Sequence, residues 1–490
     1  MKRRTILYSL LHIIASALLF EALSLYFCRY TCVYMEHWRT FYYDANYITE
    51  ELMQVGGFSR LLADFFCQFY ISPLQGIIIN SLLLAVISEG MRGHLNHVVK
   101  SSRVGLLAWL PAISLLFCQT INNYLLEGTV GMLIMLVCLL LRQCISNCSI
   151  RRAYTLIATV LLYWLAGPIS MLFALTLLIS RFSPFAFFPF VTVCLLGGIS
   201  YRLGHHADLL HLLSPEAYYA TSIEVPAHIV WMPWALWLIV LAVGICVRYL
   251  SLPKWLTSSL RPLQVALVIV MAIGGSRTYI SAKNEFYKQL QVSCRNEAWH
   301  DVVEQCKTRP MDNLLFVNCR NLALAETGQL GQRFREIPGA SYNSLMVESV
   351  SSAYVYAMIS DIYYSMGYLA LSQLSAFDTN QQMRNLSPRM LQRLALTNLI
   401  YGEYRVAHKY LTWLSKTRYY ADWAARYEKM LYDDAAIEAD PVLGPKRRCL
   451  PAESFFTGSV SKIDALVRIA QQNPEYQPTQ QYLQAISQLQ

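Results

Sequence analysis

The chain has 490 residues, 55% of them hydrophobic and 14% charged, and its mean hydropathy of +0.34 exceeds what a soluble domain of this size carries. Its net charge of +9 is not gathered in one region: residues 1–282 hold 18 Lys and Arg against 11 Asp and Glu, and residues 283–490 hold 22 against 20. With no basic domain, nucleic-acid binding is excluded, and a polytopic membrane protein in contact with the lipid bilayer remains.

The first apolar stretch, residues 5–28, follows MKRR but is long, contains Glu21 and lacks a small-residue cleavage site, so it reads as a retained span. A long loop, residues 29–72, comes next. It is rich in aromatic residues, and Tyr47–Met53 and Phe58–Tyr70 have the pattern of interfacial amphipathic helices divided by Gly56-Gly57. Apolar stretches then recur at 73–90, 104–120, 128–141, 153–166, 168–180, 184–200, 229–247 and 262–280. Together these predict about nine spans; the short pieces around Gly167-Pro168 and Arg181 could instead form a re-entrant hairpin. No span holds a buried charge pair, and Glu21 is the lone acid well inside one, which argues against a transporter.

Positive charge alternates across these spans. With an inside start, Lys2, Arg3, Arg4, Arg92, Lys100, Arg103, Arg142, Arg151, Arg152, Arg181, Arg248, Lys254 and Arg261 fall on the cytoplasmic side, and before the last span only Arg29, Arg39, Arg60 and Arg202 on the outer side. The positive-inside rule then predicts a cytoplasmic N-terminus and an outer C-terminal half. Most acids of the membrane half, among them Glu36, Asp44, Asp64 and Glu224, fall outside. The loop HHADLLHLLSPEAYY gathers His205, His206, Asp208, His211 and Glu216, but adjacent histidines do not share one helical face, so it reads as a solvated loop; no metal and no cofactor are expected.

Residues 283–490 read as helical hairpins, with turns at positions 297, 328, 367 and 402. Gly328, Gly367 and Gly402 occupy three of them. Ala395 and Ala407, like Ser360 and Ser372, are small enough for paired helices to cross closely. The spacing lies near the period of about 34 residues of tetratricopeptide hairpins, which these segments resemble. Such a stack presents a surface for a protein or peptide partner. Cys294, Cys306, Cys319 and Cys449 would occupy an oxidising compartment, where disulfides and buried thiols are equally compatible with the pattern. The fold class is therefore all-α: a polytopic domain, 1–282, followed by a tetratricopeptide-like domain, 283–490.

Two resemblances extend this. The first-loop acid Asp44, followed by interfacial helices, is similar to the plan of the C-type membrane glycosyltransferases that use polyprenyl-phosphate sugars. That resemblance implies Asp44 or Glu36 as a catalytic carboxylate and Arg39, Arg60 or Arg202 as contacts to the lipid phosphate. Asp44 is followed by Ala45 where such enzymes often carry a second acid. At whole-chain level, LADFFCQFYISPLQG, EAWHDVVEQC, NLALAETGQL and LTNLIYGEYRVAHKYL resemble an uncharacterised family of Bacteroidetes multi-pass membrane proteins. This implies an inner-membrane protein with a periplasmic repeat domain and transfers no activity. Two functions stay open: an envelope interaction module, or a periplasmic glycosyltransferase.

Overall fold

The computed structural model describes residues 2–489 except 101–102, 181–183, 205–207, 221–224, 250–253, 337–339, 348–351, 385 and 452–460. Arg181, His205, His206 and Glu224 therefore lie outside the described residues. The described chain is all-α, with one isolated antiparallel bridge between Tyr124 and Tyr219. It divides into two compact units, one of residues 1–33 and 44–285, the other of residues 34–43 and 286–490.

In the first unit, six helices among the described residues are long and apolar enough to cross a membrane: Leu7–Phe27, Pro73–Val99, Glu127–Cys144, Pro184–Arg202, Met232–Tyr249 and Leu260–Tyr279. Helices also occupy the other three predicted stretches, but Gly105–Gln119 and Ile169–Ser180 are shorter, and Cys148–Ala166 opens on Arg151 and Arg152. Leu7, Leu10, Leu11, Ile14 and Leu18 form an exposed apolar stripe, a face that water would penalise and lipid would not. Pro73–Val99 starts where the Ser72 hydroxyl accepts from the Gln75 N–H and Pro73 fixes the first helical φ. Helices meet at small residues: a Cβ on Gly244 would stand 2.7 Å from a Val99 methyl. The chain breaks between Cys148–Ala166 and Ile169–Ser180 at Gly167, whose φ of 66° is positive, followed by Pro168.

The second unit is built of helix pairs. At four turns the same bond recurs, from an N–H to the carbonyl five residues back: Ala298 to Ser293, Gln329 to Leu324, Tyr368 to Tyr363 and Glu403 to Asn398. This closes the helix with a left-handed residue in the turn. That residue is Glu297, Gly328, Gly367 or Gly402, with φ of 55°, 70°, 74° and 79°. Within the pair Ala353–Ser365 and Leu369–Gln382, Ser360 and Ser372 each donate a hydroxyl to the other's carbonyl, at 2.9 and 2.8 Å. Ala395 and Ala407 are fully buried.

Ten residues of the first loop, Tyr34–Tyr43, belong to this unit. Tyr34 and Trp38 pack edge-on, and Trp38 meets Tyr354 at 5.0 Å between ring centroids. The segment is pinned by its backbone: Tyr43 N–H donates to Lys416 O at 2.7 Å, and His37 O accepts from the Ser387 hydroxyl at 3.0 Å. The flanking interfacial segments form Ala45–Leu52 and Gly57–Cys67, with Gly56 left-handed between them. All thirteen cysteines are free thiols, and Cys294, Cys306, Cys319 and Cys449 are buried.

Candidate binding site in the C-terminal unit

A cavity of about 750 Å3 opens within the second unit. Its centre is set by helical spacing: Arg389 and Arg393, four residues apart on Pro388–Tyr401, present both guanidinium groups to one face. Asp361 on Ala353–Ser365 accepts from Nη2 of Arg389 and, at 2.8 Å, from Nη2 of Arg393. Arg389 also donates to Gln291 Oε1 at 3.0 Å, and the Arg393 guanidinium lies 3.6 Å from the centre of the Tyr364 ring. Burial pushes the Asp361 carboxyl up, but the two guanidinium charges outweigh it and hold the group below the usual carboxylate range.

One carboxylate between two guanidinium groups leaves a positive charge over. It also leaves donors over: Arg389 Nη1 and Arg393 Nε have no hydrogen-bond partner, although Arg389 is only 5% exposed. Buried donors in that state call for an acceptor. Beside them Lys446 is buried between the rings of Tyr364 and Tyr476, at 4.6 and 5.1 Å, and donates to the Tyr476 hydroxyl at 2.7 Å. Burial lowers its ammonium below the ordinary lysine value. Glu297, Glu326 and Glu475 line the same cavity, with Trp299, Trp423 and Tyr427 supplying aromatic faces. The wall suits a polar segment with an anionic group at the arginines.

Glu36 lies in the same unit but does not line this cavity. It is 2% exposed and accepts from the Tyr420 hydroxyl and, at 3.1 Å, from Arg295 Nη1. Burial lifts its carboxyl above the usual range even beside Arg295. Arg39 is half-buried, its charge acting on the Tyr354 hydroxyl.

The other predicted residues belong to the first unit. Asp44 caps Ala45–Leu52, its carboxylate accepting the Tyr47 N–H at 3.0 Å. The Tyr47 hydroxyl donates to Asp64 at 2.9 Å. Arg60 is buried and bound to Glu51, to Gln54 at 3.0 Å and to Glu127 at 3.3 Å. Arg202 is exposed at the end of Pro184–Arg202. Asp208 caps Leu209–Leu213. Among the described residues, no three His, Cys, Asp or Glu side chains gather as metal ligands.

Glu127 opens a membrane-length helix and pairs with Arg60, while Glu89 and Arg92 within Pro73–Val99 form a two-point pair at 2.6 and 2.7 Å, joined by His12 of Leu7–Phe27 at 3.0 Å. Pairing of this kind makes charge tolerable at depth; the Glu127–Arg60 contact is invisible in sequence because its partners come from different helices, whereas Glu89 and Arg92 stand three residues apart on one helix.

Residues 3–490 match the Family of unknown function (DUF6057). The chain belongs to this family. No curated protein and no solved structure matches it. The DUF6057 match covers both units, so Tyr34–Tyr43 and the C-terminal helices lie within one family region. In this DUF6057 chain, Asp361, Arg389 and Arg393 were missed by sequence reasoning. The available signal was two arginines at a helical spacing of four on a helix with no other charged residue, and their partner lies 28 residues before the first of them.

Proposed function

We propose that this chain is an inner-membrane protein of a Bacteroidetes-type envelope, with nine crossings, a cytoplasmic N-terminus and a tetratricopeptide-like periplasmic unit that binds an envelope partner. Nine crossings require Cys148–Ala166 and the two shorter apolar helices to traverse the bilayer as well. The partner is a protein or peptide segment with an anionic group, seated in the C-terminal cavity. The observation that carries the binding reading is the Arg389–Asp361–Arg393 cluster, with its surplus charge and unsatisfied donors at a cavity wall. The glycosyltransferase alternative has less support, because Asp44 has a structural task as a helix cap and Glu36 is enclosed by Arg295 and Tyr420.

Two experiments test this. Protease added to intact spheroplasts should remove residues beyond the last span; a C-terminal half protected until lysis overturns the orientation. A photo-crosslinking residue in place of Trp423, which lines the cavity, should trap an envelope component in cells, and the adduct should vanish with Arg393→Gln. An adduct that is absent, or that persists in the Arg393→Gln protein, overturns the binding site.

A further inference from the structure

A second cavity, of about 940 Å3, lies wholly within the first unit, where the C-terminal ends of four apolar helices converge: Pro73–Val99, Glu127–Cys144, Ile169–Ser180 and Met232–Tyr249. Its charged lining is Lys100, Arg142, Arg151 and Arg248, with His94 and His97, and no carboxylate. The chain around it supplies none either: residues 90–109, 142–153, 178–188 and 246–261 contain no Asp or Glu. The helix ends place carbonyls here, each terminus worth about half a negative charge, or roughly two charges in all. Four side-chain cations exceed that, so a positive surplus remains.

Some of these groups are engaged locally. Arg248 Nη1 donates to Val98 O at 2.6 Å, Arg142 Nε to the Thr155 hydroxyl at 2.9 Å, and Arg151 Nη1 only distantly to Ile145 O at 3.5 Å. Others are not satisfied. His94 is 3% exposed; its Nδ1 accepts from the Gln143 amide at 2.7 Å, which places the ring proton on Nε2, and Nε2 has no partner. Asn96 Oδ1, on the same wall, is a buried acceptor without a donor. The positive-inside rule accounts for cations at helix ends. It does not account for a half-open cavity with a stranded imidazole N–H and a stranded amide oxygen in one wall.

An adjoining cavity of about 430 Å3 shares Arg142, Arg151 and Leu177 and is otherwise mostly apolar, with Phe185, Phe188 and Pro189; Arg152 lies over the Phe185 ring at 5.6 Å. We infer that this end of the N-terminal unit is a binding site for a phosphate-bearing ligand, the phosphate held by Lys100, Arg151 and the His94 N–H, a ligand hydroxyl by Asn96 Oδ1, and an apolar portion in the adjoining chamber. A glycerophospholipid headgroup and a soluble phosphate ester share that chemistry. The site involves no residue of the C-terminal cavity, so either can fail without the other.

The test uses the full chain in detergent. Native mass spectrometry would follow retention of phosphatidylglycerol against phosphatidylcholine, and thermal shift would follow inorganic phosphate and glycerol 3-phosphate. Each cation removed is expected to weaken binding about fivefold, so Lys100→Gln/Arg151→Gln should lose the ligand by more than about tenfold. Arg261→Gln, which removes an exposed charge outside both cavities, should bind like the unaltered chain. Selective retention of phosphatidylglycerol with no response to the soluble phosphates assigns the lipid source; a thermal shift with the phosphates, lost in the double variant, assigns the soluble one. If the double variant does not fold, the single variants carry the same comparison. Equal retention of both lipids with no phosphate response, or equal binding by all variants, overturns the proposal.

Discussion

Each unit buries a triad of carboxylates and guanidinium groups, and these two triads are opposite in composition. In the N-terminal unit a single guanidinium, Arg60, serves two carboxylates, Glu51 and Glu127; in the C-terminal unit a single carboxylate, Asp361, serves two guanidinium groups, Arg389 and Arg393. The first carries surplus negative charge and adds the Gln54 amide to its guanidinium. The second carries surplus positive charge and leaves donors unsatisfied at a cavity wall. Buried charge alone therefore does not mark a site. An imbalance with unmet hydrogen-bonding capacity beside open volume does.

The largest effects should come from the central member of each triad. Asp361→Asn and Arg60→Gln each strand two like charges, and breaking buried pairs in this way costs about 3–5 kcal/mol. Thermal unfolding of the full chain should show a clear loss for both; an Asp361→Asn protein as stable as the parent would end the account of the C-terminal triad. The same carboxylate sets a pH response. The Asp361 carboxyl is held below its unfolded value, so its contribution is complete above the usual carboxylate range and is lost as pH falls through the folded value. Acid titration of unfolding should steepen at the low-pH end in the parent and flatten there in Asp361→Asn.

Turn substitutions come next. A Cβ at Gly402 meets nothing within 4 Å, so Gly402→Ala bears only the left-handed backbone penalty of about 1–2 kcal/mol. At Gly367 the added Cβ would lie 3.1 Å from Cys449 Sγ, and crowding should bring the loss to about 2–3 kcal/mol. Chemical denaturation that ranks the two the other way round would show that Cys449 yields freely.

Outer members of the triads should matter less. Arg393→Gln leaves a balanced Arg389–Asp361 pair, and Glu127→Gln leaves Arg60 with Glu51, so each should cost under about 1–2 kcal/mol. Binding separates them: crosslinking at the C-terminal cavity should disappear with Arg393→Gln and be unaffected by Glu127→Gln. The smallest change is expected for Asp44→Asn, because Asn caps a helix as well as Asp, whereas Asp44→Ala should cost about 1 kcal/mol. Loss of an envelope glycan in a stable Asp44→Asn protein would instead assign that carboxylate a chemical task.

What could be read in advance follows the range of the forces involved. The apolar stretches were legible because burial in lipid requires continuous apolar sequence, and the Gly167-Pro168 break because both residues restrict their own backbone. The turns at 297, 328, 367 and 402 were legible for the same local reason. The destination of Tyr34–Tyr43 was not. Its aromatic residues suit an interface as well as a core, and only the bonds to Lys416 and Ser387, more than 300 residues away in the chain, decide between them.

By itself, then, the sequence determined an all-α membrane chain with a change of character near residue 283, because hydropathy, helix-breaking and charge asymmetry act through neighbouring residues. Tertiary structure alone decided which charges meet: Arg60 with Glu51 and Glu127, Asp361 with Arg389 and Arg393, and an acid-free cluster where four helices end. Coulomb energy falls with distance in space and takes no account of distance along the chain, so these pairings exist only once the helices are packed.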